Sequence, residues 1–498
     1  MVYPHTYRTE HSETRTTNAE YGQYYAQSQS KKIKVQPQLL KILQYVDSNR
    51  VQIVQDLREA VKIQSTSDDL INKDNIINMV KFAEKWLLKL GVKYECFNIG
   101  TREIKGKRYK LPPVILGNIG SDKEKKTLCI YSYLDVNKPE IEKWNTDPWM
   151  VTEIDKCVYG NGVASGKGVL IMWFHVLAAF QTAKIPLPIN IKFIIESMHT
   201  HRSEGLGEFL LTKKLDYLYD VDYVVVCGSE WIGEKYPCIV YGGVGLIHFS
   251  VEIEKSENAN IDIRKELHSI FDALIDKKGK VTAPGFYDNV SQITPDEEKL
   301  YEDIQDFDLE GIRDCLPPEK RNWNKVKLLM DFWRLPATKV FDVQECICEK
   351  KDFSKVKREI LVKLVPMMIV DRIVNIMTKH VKNICKDLNI MNKVDVKVLS
   401  STRPWLEDIT SPNYQAARRA TIQIYKEDPN MIRDDTDNVV INIISRMIDA
   451  NMLLLPLSTK STNIGKENEH IPLRNLYEGT KLLGAYLFQL NEIDYINS

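Results

Sequence analysis

Two histidines stand one residue apart in ESMHTHRSEG, Glu196 to Gly205, directly after the apolar run INIKFII. That run reads as a buried strand, which puts His199 and His201 where a strand gives way to a loop. Imidazole is a common zinc ligand, and a His-x-His pair at a strand end is one way a metal site begins. In a continuing strand the two rings share a face; in a loop they need not. No carboxylate set stands beside them and Arg202 opposes a cation, so the pair taken alone is better read as two exposed loop histidines. Cys346-Ile347-Cys348 is the only close cysteine pair, and no second pair completes a four-ligand zinc knot, so these are read as structural thiols.

The elements around the histidines alternate in type. QPQLLKILQYVDSNRVQIVQDLREAVKI and DNIINMVKFAEKWLLKLG carry apolar residues at helical spacing, and strand-like runs such as PPVILGNIG and KTLCIYSYL follow. The apolar helix VLIMWFHVLAAFQTA, with His175 as a core histidine, precedes INIKFII, and VDYVVVCG supplies another buried strand. Strands and helices in alternation predict an α/β domain with a mostly parallel sheet covered on both faces. After Gly245 the strands IHFSVEIEK and KVDVKVLSS alternate as half-exposed strands do, predicting an inserted α+β unit with an irregular stretch over about 284–350. The expected division is a flexible polar tail over 1–35, a first α/β part over 36–245, the insert over 246–402 and a second α/β part over 403–498. The tail, with Tyr3, Tyr7, Tyr21, Tyr24 and Tyr25, has too few aliphatics to offset its ordering entropy.

Composition narrows the partners. A chain of 498 residues exceeds what one core organises, and Lys+Arg and Asp+Glu balance at 68 each, so no global field favours nucleic acid or an anionic membrane. No apolar run reaches the roughly 18 residues of a membrane span. The polar start reads as neither a signal nor a transit peptide. The nine cysteines lie mostly in apolar runs, as small core residues of a cytoplasmic protein do.

The motifs LCIYSYLDV, VYGNGVASGKG, IKFIIESMHTHRSEGL, VDYVVVCGSEWIGEKYPCIVYGGVG, LVKLVP, RPW and LYEGTKLLGAYL occur in an order that resembles the cytosolic non-specific dipeptidase, or carnosinase, family. The resemblance runs from about 36 to 490 and includes Trp231, Gly233, Pro237, Tyr241 and Gly242 in one block. It implies a di-metal exopeptidase fold with an inserted lid domain that pairs two subunits. It also implies two zinc or manganese ions roughly 3.5 Å apart, a bridging carboxylate and a general base.

Position by position, those atoms are absent. The family's first histidine ligand falls at Tyr133, its bridging aspartate at Ser165, the acidic residue after it at Gly166, its base at His199 and the next ligand at Thr200. The later aspartate falls at Gly228 and the last histidine at Gly465, with His470 five residues on beside Asn468-Glu469. Asp135, which in the family orients the first histidine, is retained without that client, and Lys167-Gly168 remain. The arginine that takes a substrate carboxylate falls at Lys363, which keeps charge but loses the bidentate fork. A glycine-rich segment reads RDDTDNVV, whose Asp434, Asp435 and Asp437 repel a carboxylate; two lid histidines fall at Ile261 and near Phe341.

Three functions follow as alternatives. A metal-dependent dipeptidase or carboxypeptidase-type hydrolase matches the fold and motif order, but hydroxyls do not replace carboxylate and imidazole at zinc. A rebuilt metal site would rest on His199, His201 and His470. The preferred expectation is a catalytically inactive homologue with no metal cofactor, retaining the fold for homodimerisation through the lid, for pairing with an active relative, or for a peptide-like ligand in the cleft.

Overall fold

A computed structural model describes residues 36–71, 73–256, 262–346 and 355–497. The tail 1–35, Ile261 and Cys348 lie outside these residues.

The first unit is built on a nine-stranded sheet. At its centre Asn190–Glu196, Thr127–Tyr133, Tyr223–Val226 and Asn451–Leu454 run parallel, in that order. Thr127–Tyr133 and Tyr223–Val226 are buried at every position, as strands covered on both faces must be. The expected mostly parallel sheet needs correction at its flanks. Lys93–Phe97 pairs antiparallel with Val114–Ile119, which pairs antiparallel with Asn190–Glu196. On the other side Cys238–Gly243 is antiparallel to Asn451–Leu454 and Trp405–Leu406, and parallel to Asn430–Asp434. The sheet is therefore mixed. Its antiparallel flank tolerates water: Lys93–Phe97 has no buried position.

Helix Gly166–Ala183 is buried from Gly166 through Phe180, which explains why its sequence is apolar all round. Its first turn meets the sheet at a distance only glycine permits. A Cβ on Gly168 would lie 1.9 Å from the Val163 carbonyl oxygen, and one on Gly166 would lie 2.4 Å from that of Tyr133. Glycine at 166 and 168 is thus required by packing, independently of any metal. Helices Pro37–Ser48, Arg50–Val61 and Leu473–Asn497 pack on Gly166–Ala183. His175 is buried there with Nε2 3.0 Å from Asp56 Oδ2, the core histidine its sequence context predicts.

The second unit carries a five-stranded sheet in which Ala337–Val340, Lys355–Leu364, Gly245–Glu254 and Lys393–Ser401 are antiparallel neighbours. Helices Ile263–Leu274 and Val370–Asp387 cover one face, and Ile247, Phe249, Val251 and Ile253 fill the core beneath them at the period of two that the sequence displays.

Between these elements the stretch read as irregular is helical in three places, Pro295–Asp303, Leu309–Arg313 and Lys325–Trp333. Each has a side-chain cap: Thr294 accepts from the Glu297 N–H, Asp308 from Gly311 and Asn324 from Lys327. Leu300, Tyr301, Ile304, Leu329 and Trp333 pack in the first unit's core, although the sequence division placed them in the insert. A buried ionic cluster fixes them there. Glu297 Oε1 accepts from Arg433 Nη2 at 2.6 Å and from the Tyr301 hydroxyl at 2.8 Å. Arg334 Nε lies 2.8 Å from the same oxygen, off the hydrogen-bond direction. No described helix is long and apolar enough to cross a membrane.

Candidate functional site

The sheet gathers the site positions at the carboxyl ends of its parallel strands, where open α/β sheets bind ligands. Tyr133 ends one strand, His199 lies three residues past the end of the next, and Gly228 follows a third. Ser165 immediately precedes helix Gly166–Ala183. The five positions that the resemblance assigns to metal ligands come near one another, but two are glycines and the side chains of Tyr133, Ser165 and Thr200 engage neighbouring groups.

The Tyr133 and His199 rings stack at 3.8 Å between centroids and 12° between planes. The Ser165 hydroxyl lies beside both the Tyr133 phenol and the Glu469 carboxylate and favours their charged forms. Burial holds the Tyr133 phenol well above its usual range, so it stays protonated. Glu469, itself buried, accepts from the Gly162 and Ala164 N–H groups at 3.0 Å each and from the Gly465 N–H at 3.4 Å. Thr200 turns the other way and donates its hydroxyl to Asp135 Oδ2 at 2.7 Å. Gly228 offers no side chain.

This set does not fit two metal ions. It presents a protonated phenol, two hydroxyls and two glycines where ionised carboxylates and neutral imidazoles are needed. Between Tyr131, Tyr133, His199, Cys227, Gly228 and Val440 a void of about 20 Å³ remains. That is room for about one water. Among the described residues no group of three or more His, Cys, Asp or Glu side chains is arranged to hold a metal.

Asp135 is a correction to the sequence reading. Although its histidine client is missing, it is fully buried and accepts four hydrogen bonds. They come from Ser67 Oγ at 2.8 Å, the His199 N–H at 3.0 Å, the Thr200 N–H at 2.9 Å and Thr200 Oγ1 at 2.7 Å. It anchors the 3-10 turn His199–His201. His201 points away from His199: its Nδ1 is 3.0 Å from Ser67 Oγ and its Nε2 is 3.5 Å from Asp68 Oδ1. Ser67, His201 and Asp68 mimic a nucleophile triad, but Ser67 is buried, gives its proton to Asp135 and lines neither cavity of the site. His470 donates from Nδ1 to the Asn468 carbonyl and stacks on Tyr159 at 4.7 Å, so the three-histidine site does not assemble.

Beyond the small void opens a cleft of about 860 Å³, within the usual range for small-molecule sites. Gly228, Asp434, Asp435 and Asp437 line it. Burial pushes the Asp434 carboxyl up to about 6, against the Thr436 hydroxyl and N–H that favour its charged form. Asp437 is paired with Arg202 at 2.9 Å. Lys363 does not stand ready for a substrate carboxylate, because its Nζ donates to the Asp331 and Phe332 carbonyls at 2.8 and 2.9 Å. Phe341 directly follows strand Ala337–Val340 of the second sheet, hydrogen-bonded through its N–H to the Glu359 carbonyl.

Sequence reasoning missed Ser67, Tyr131, Glu196 and Glu469. Tyr131 was the most accessible of these, since two residues before Tyr133 on one strand it must point to the same face. Glu469 and Lys167 interact through space from distant segments, and no local pattern announces that.

Burial lowers Lys167 to about 7 while Glu469 opposes the shift, and its ammonium donates to the Ile63 carbonyl at 2.6 Å. An unfolded lysine titrates near ~10.4, so between about pH 7 and 10 the unfolded chain binds more protons. This residue's contribution to stability therefore rises with pH through that window, and its penalty is complete below it. Lys167→Met should flatten that slope relative to the wild type, read as urea midpoints at pH 7 and pH 8.5. Above about pH 8.5 buried thiols pull the other way, so equal slopes inside the window would refute the assignment.

Known proteins agree with this architecture. The family model described as Peptidase family M20/M25/M40 matches residues 129–489. Beta-Ala-His dipeptidase of Homo sapiens is 30% identical over 476 residues, covering 92% of this chain and 94% of that protein. Cys-Gly metallodipeptidase dug1 of Schizosaccharomyces pombe is 26% identical over 470 residues, covering 91% and 98%. The crystal structure of human carnosine dipeptidase 1 superposes with a TM-score of 0.78 at 30% identity, covering 92% of this chain and all of that one. The di-peptidase Dug1p from Saccharomyces cerevisiae gives 0.78 at 25% identity, covering 91% and 98%. With the model matched across most of its length and these relatives spanning both units, the chain belongs to peptidase family M20/M25/M40.

Proposed function

We propose that this chain is a non-catalytic member of its family, a homologue of metallodipeptidases that keeps the fold for binding and assembly. One observation carries the reading: the Tyr133–His199 stack at 3.8 Å and the hydroxyls around it occupy the positions where the resemblance places metal ligands and base. Losing a general base alone costs ~10²–10⁴-fold in rate, before any loss of metal. The competing reading, a working metallodipeptidase, draws on the names of the relatives but has no ligand set to work with. The reading also makes the protein cytoplasmic, where thiols such as Cys129, Cys227 and Cys238 stay free.

Assembly rests on the second unit. Its edge strand Lys393–Ser401 exposes Val398 and Leu399, a surface suited to a second copy or an active relative. Purified full-length protein should carry no stoichiometric zinc or manganese, leave simple dipeptides intact with manganese added, and scatter light as a dimer. Two metals per chain or metal-dependent turnover would sink the non-catalytic reading, and a monomer at micromolar concentration would sink the dimer.

A further inference from the structure

His199 differs from the other residues of the filled centre in having one edge still open. Its Nδ1 is 2.8 Å from the Tyr131 hydroxyl, and its ring lines both the small void and the large cleft. The side chain is about one-third exposed. The Tyr131 hydroxyl donates its single proton to Glu196 Oε1, which also accepts from Ser203 Oγ at 2.7 Å. Glu196 is fully buried and Tyr131 nearly so. With its own hydrogen committed, the Tyr131 oxygen can only accept from the imidazole. A ring carrying one proton must therefore hold it on Nδ1, which leaves Nε2 on the opposite edge as a bare acceptor. Glu196, Tyr131 and His199 form a chain that fixes a tautomer, and that task is unnecessary for a histidine that is merely exposed.

The cleft it faces has a consistent character. The Asp435 carboxylate belongs to its wall with no cation in salt-bridge range among the described residues, Lys363 acting on it only at longer range. Of the lining cations Arg202 is taken by Asp437, Arg433 by Glu297 and Lys460 lies 3.9 Å from Glu230, which leaves Lys466. The lining also has an apolar part, which includes Ile312, Leu316, Phe332 and Trp333. An acceptor nitrogen, the Asp435 carboxylate with Asp434 beside it in sequence, and an apolar lining call for a donor-rich cation joined to a hydrophobic group. A carboxylate ligand meets repulsion there and finds Lys363 already committed to two carbonyls.

We infer that the cleft binds a primary amine attached to an apolar group, with the ammonium donating to His199 Nε2 beside Asp434 and Asp435 and the apolar part against Phe332 and Trp333. Tyr131 and Glu196 act as positioning residues through His199. This rests on the non-catalytic reading, since in a working di-metal site the same position would serve as base.

The test uses full-length protein with ¹⁵N-labelled histidine and two probes of matched size, 2-phenylethylamine and 3-phenylpropionate. The His199 nitrogen shifts should report the Nδ1–H tautomer, and the amine should bind saturably while moving Nε2. Tyr131→Phe should release the tautomer preference and weaken the amine by roughly 5- to 10-fold, the worth of one hydrogen bond. The exposed variant Asp435→Asn should weaken it comparably without disturbing the buried chain. An Nε2–H tautomer in the wild type, equal binding of the acid, or no saturable amine binding would overturn the inference. Metal analysis of the same sample separates the two levels: bound zinc or manganese defeats the non-catalytic reading, whereas metal-free protein that ignores the amine defeats only this one.

Discussion

Glu297→Ala should destabilise this chain by about 3–5 kcal/mol, read as a fall in the urea unfolding midpoint. Glu297 is the shared partner of Arg433 and Arg334, whose side chains are 5% and 4% exposed. Removing it leaves two guanidinium groups buried without a counter-charge, which costs far more than the pair contributes over an apolar substitute. Replacing all three by methionine should recover most of the loss, because no charge is then stranded. The variant also unpins helix Pro295–Asp303 from strand Asn430–Asp434, so amide exchange in that helix should rise along with the fall in the urea midpoint. A Glu297→Ala protein that unfolds with the wild type would show that packing of Leu300 and Tyr301 suffices without the cluster.

Asp135→Ala should cost a similar amount, about 3–5 kcal/mol, and Asp135→Asn roughly half of it. Hydrogen bonds to a carboxylate contribute about 1.5–3 kcal/mol each, and their sum is not additive. Four donors converge on this buried group, and three of them, the His199 N–H, the Thr200 N–H and Thr200 Oγ1, belong to one turn. Asparagine keeps one acceptor oxygen for the three donors at the Oδ2 position but turns its NH2 toward the His199 N–H. The readouts are the urea midpoint and amide exchange at Thr200. A neutral Asp135→Asn would mean the residue is a relic; a loss at both readouts would mean it organises the turn that carries His199.

Asp135 also marks the limit of reading this site from sequence. Its presence, and the replacement of its neighbours, were legible because they sit in contiguous motifs on strand ends. Its new partners were not, because Ser67 and Thr200 reach it from segments 68 and 65 positions away. The fold was legible for a similar reason: the buried strands and the all-apolar helix Gly166–Ala183 announce themselves as continuous apolar runs whose lengths separate strand from helix. The antiparallel flanks were hidden, since pairing direction depends on the connections and leaves no mark on a strand's own residues. The helices of the 284–350 stretch were missed although Thr294-Pro295, Asp308 and Asn324 are ordinary start signals, because charge-rich sequence masked their short apolar faces.

On the non-catalytic reading, the stack of Tyr133 on His199 has a consequence for any attempt to engineer a metal site into this protein. Each replaced position now supports another: Tyr133 holds Ser165 and His199, Ser165 holds Glu469, and Thr200 holds Asp135. Histidine at 133 alone would strand the Ser165 hydroxyl, and aspartate at 165 alone would set a second carboxylate against buried Glu469. Single replacements therefore lead downhill in stability with no metal affinity in return. A two-metal centre is reachable from this arrangement only by changing several positions at once.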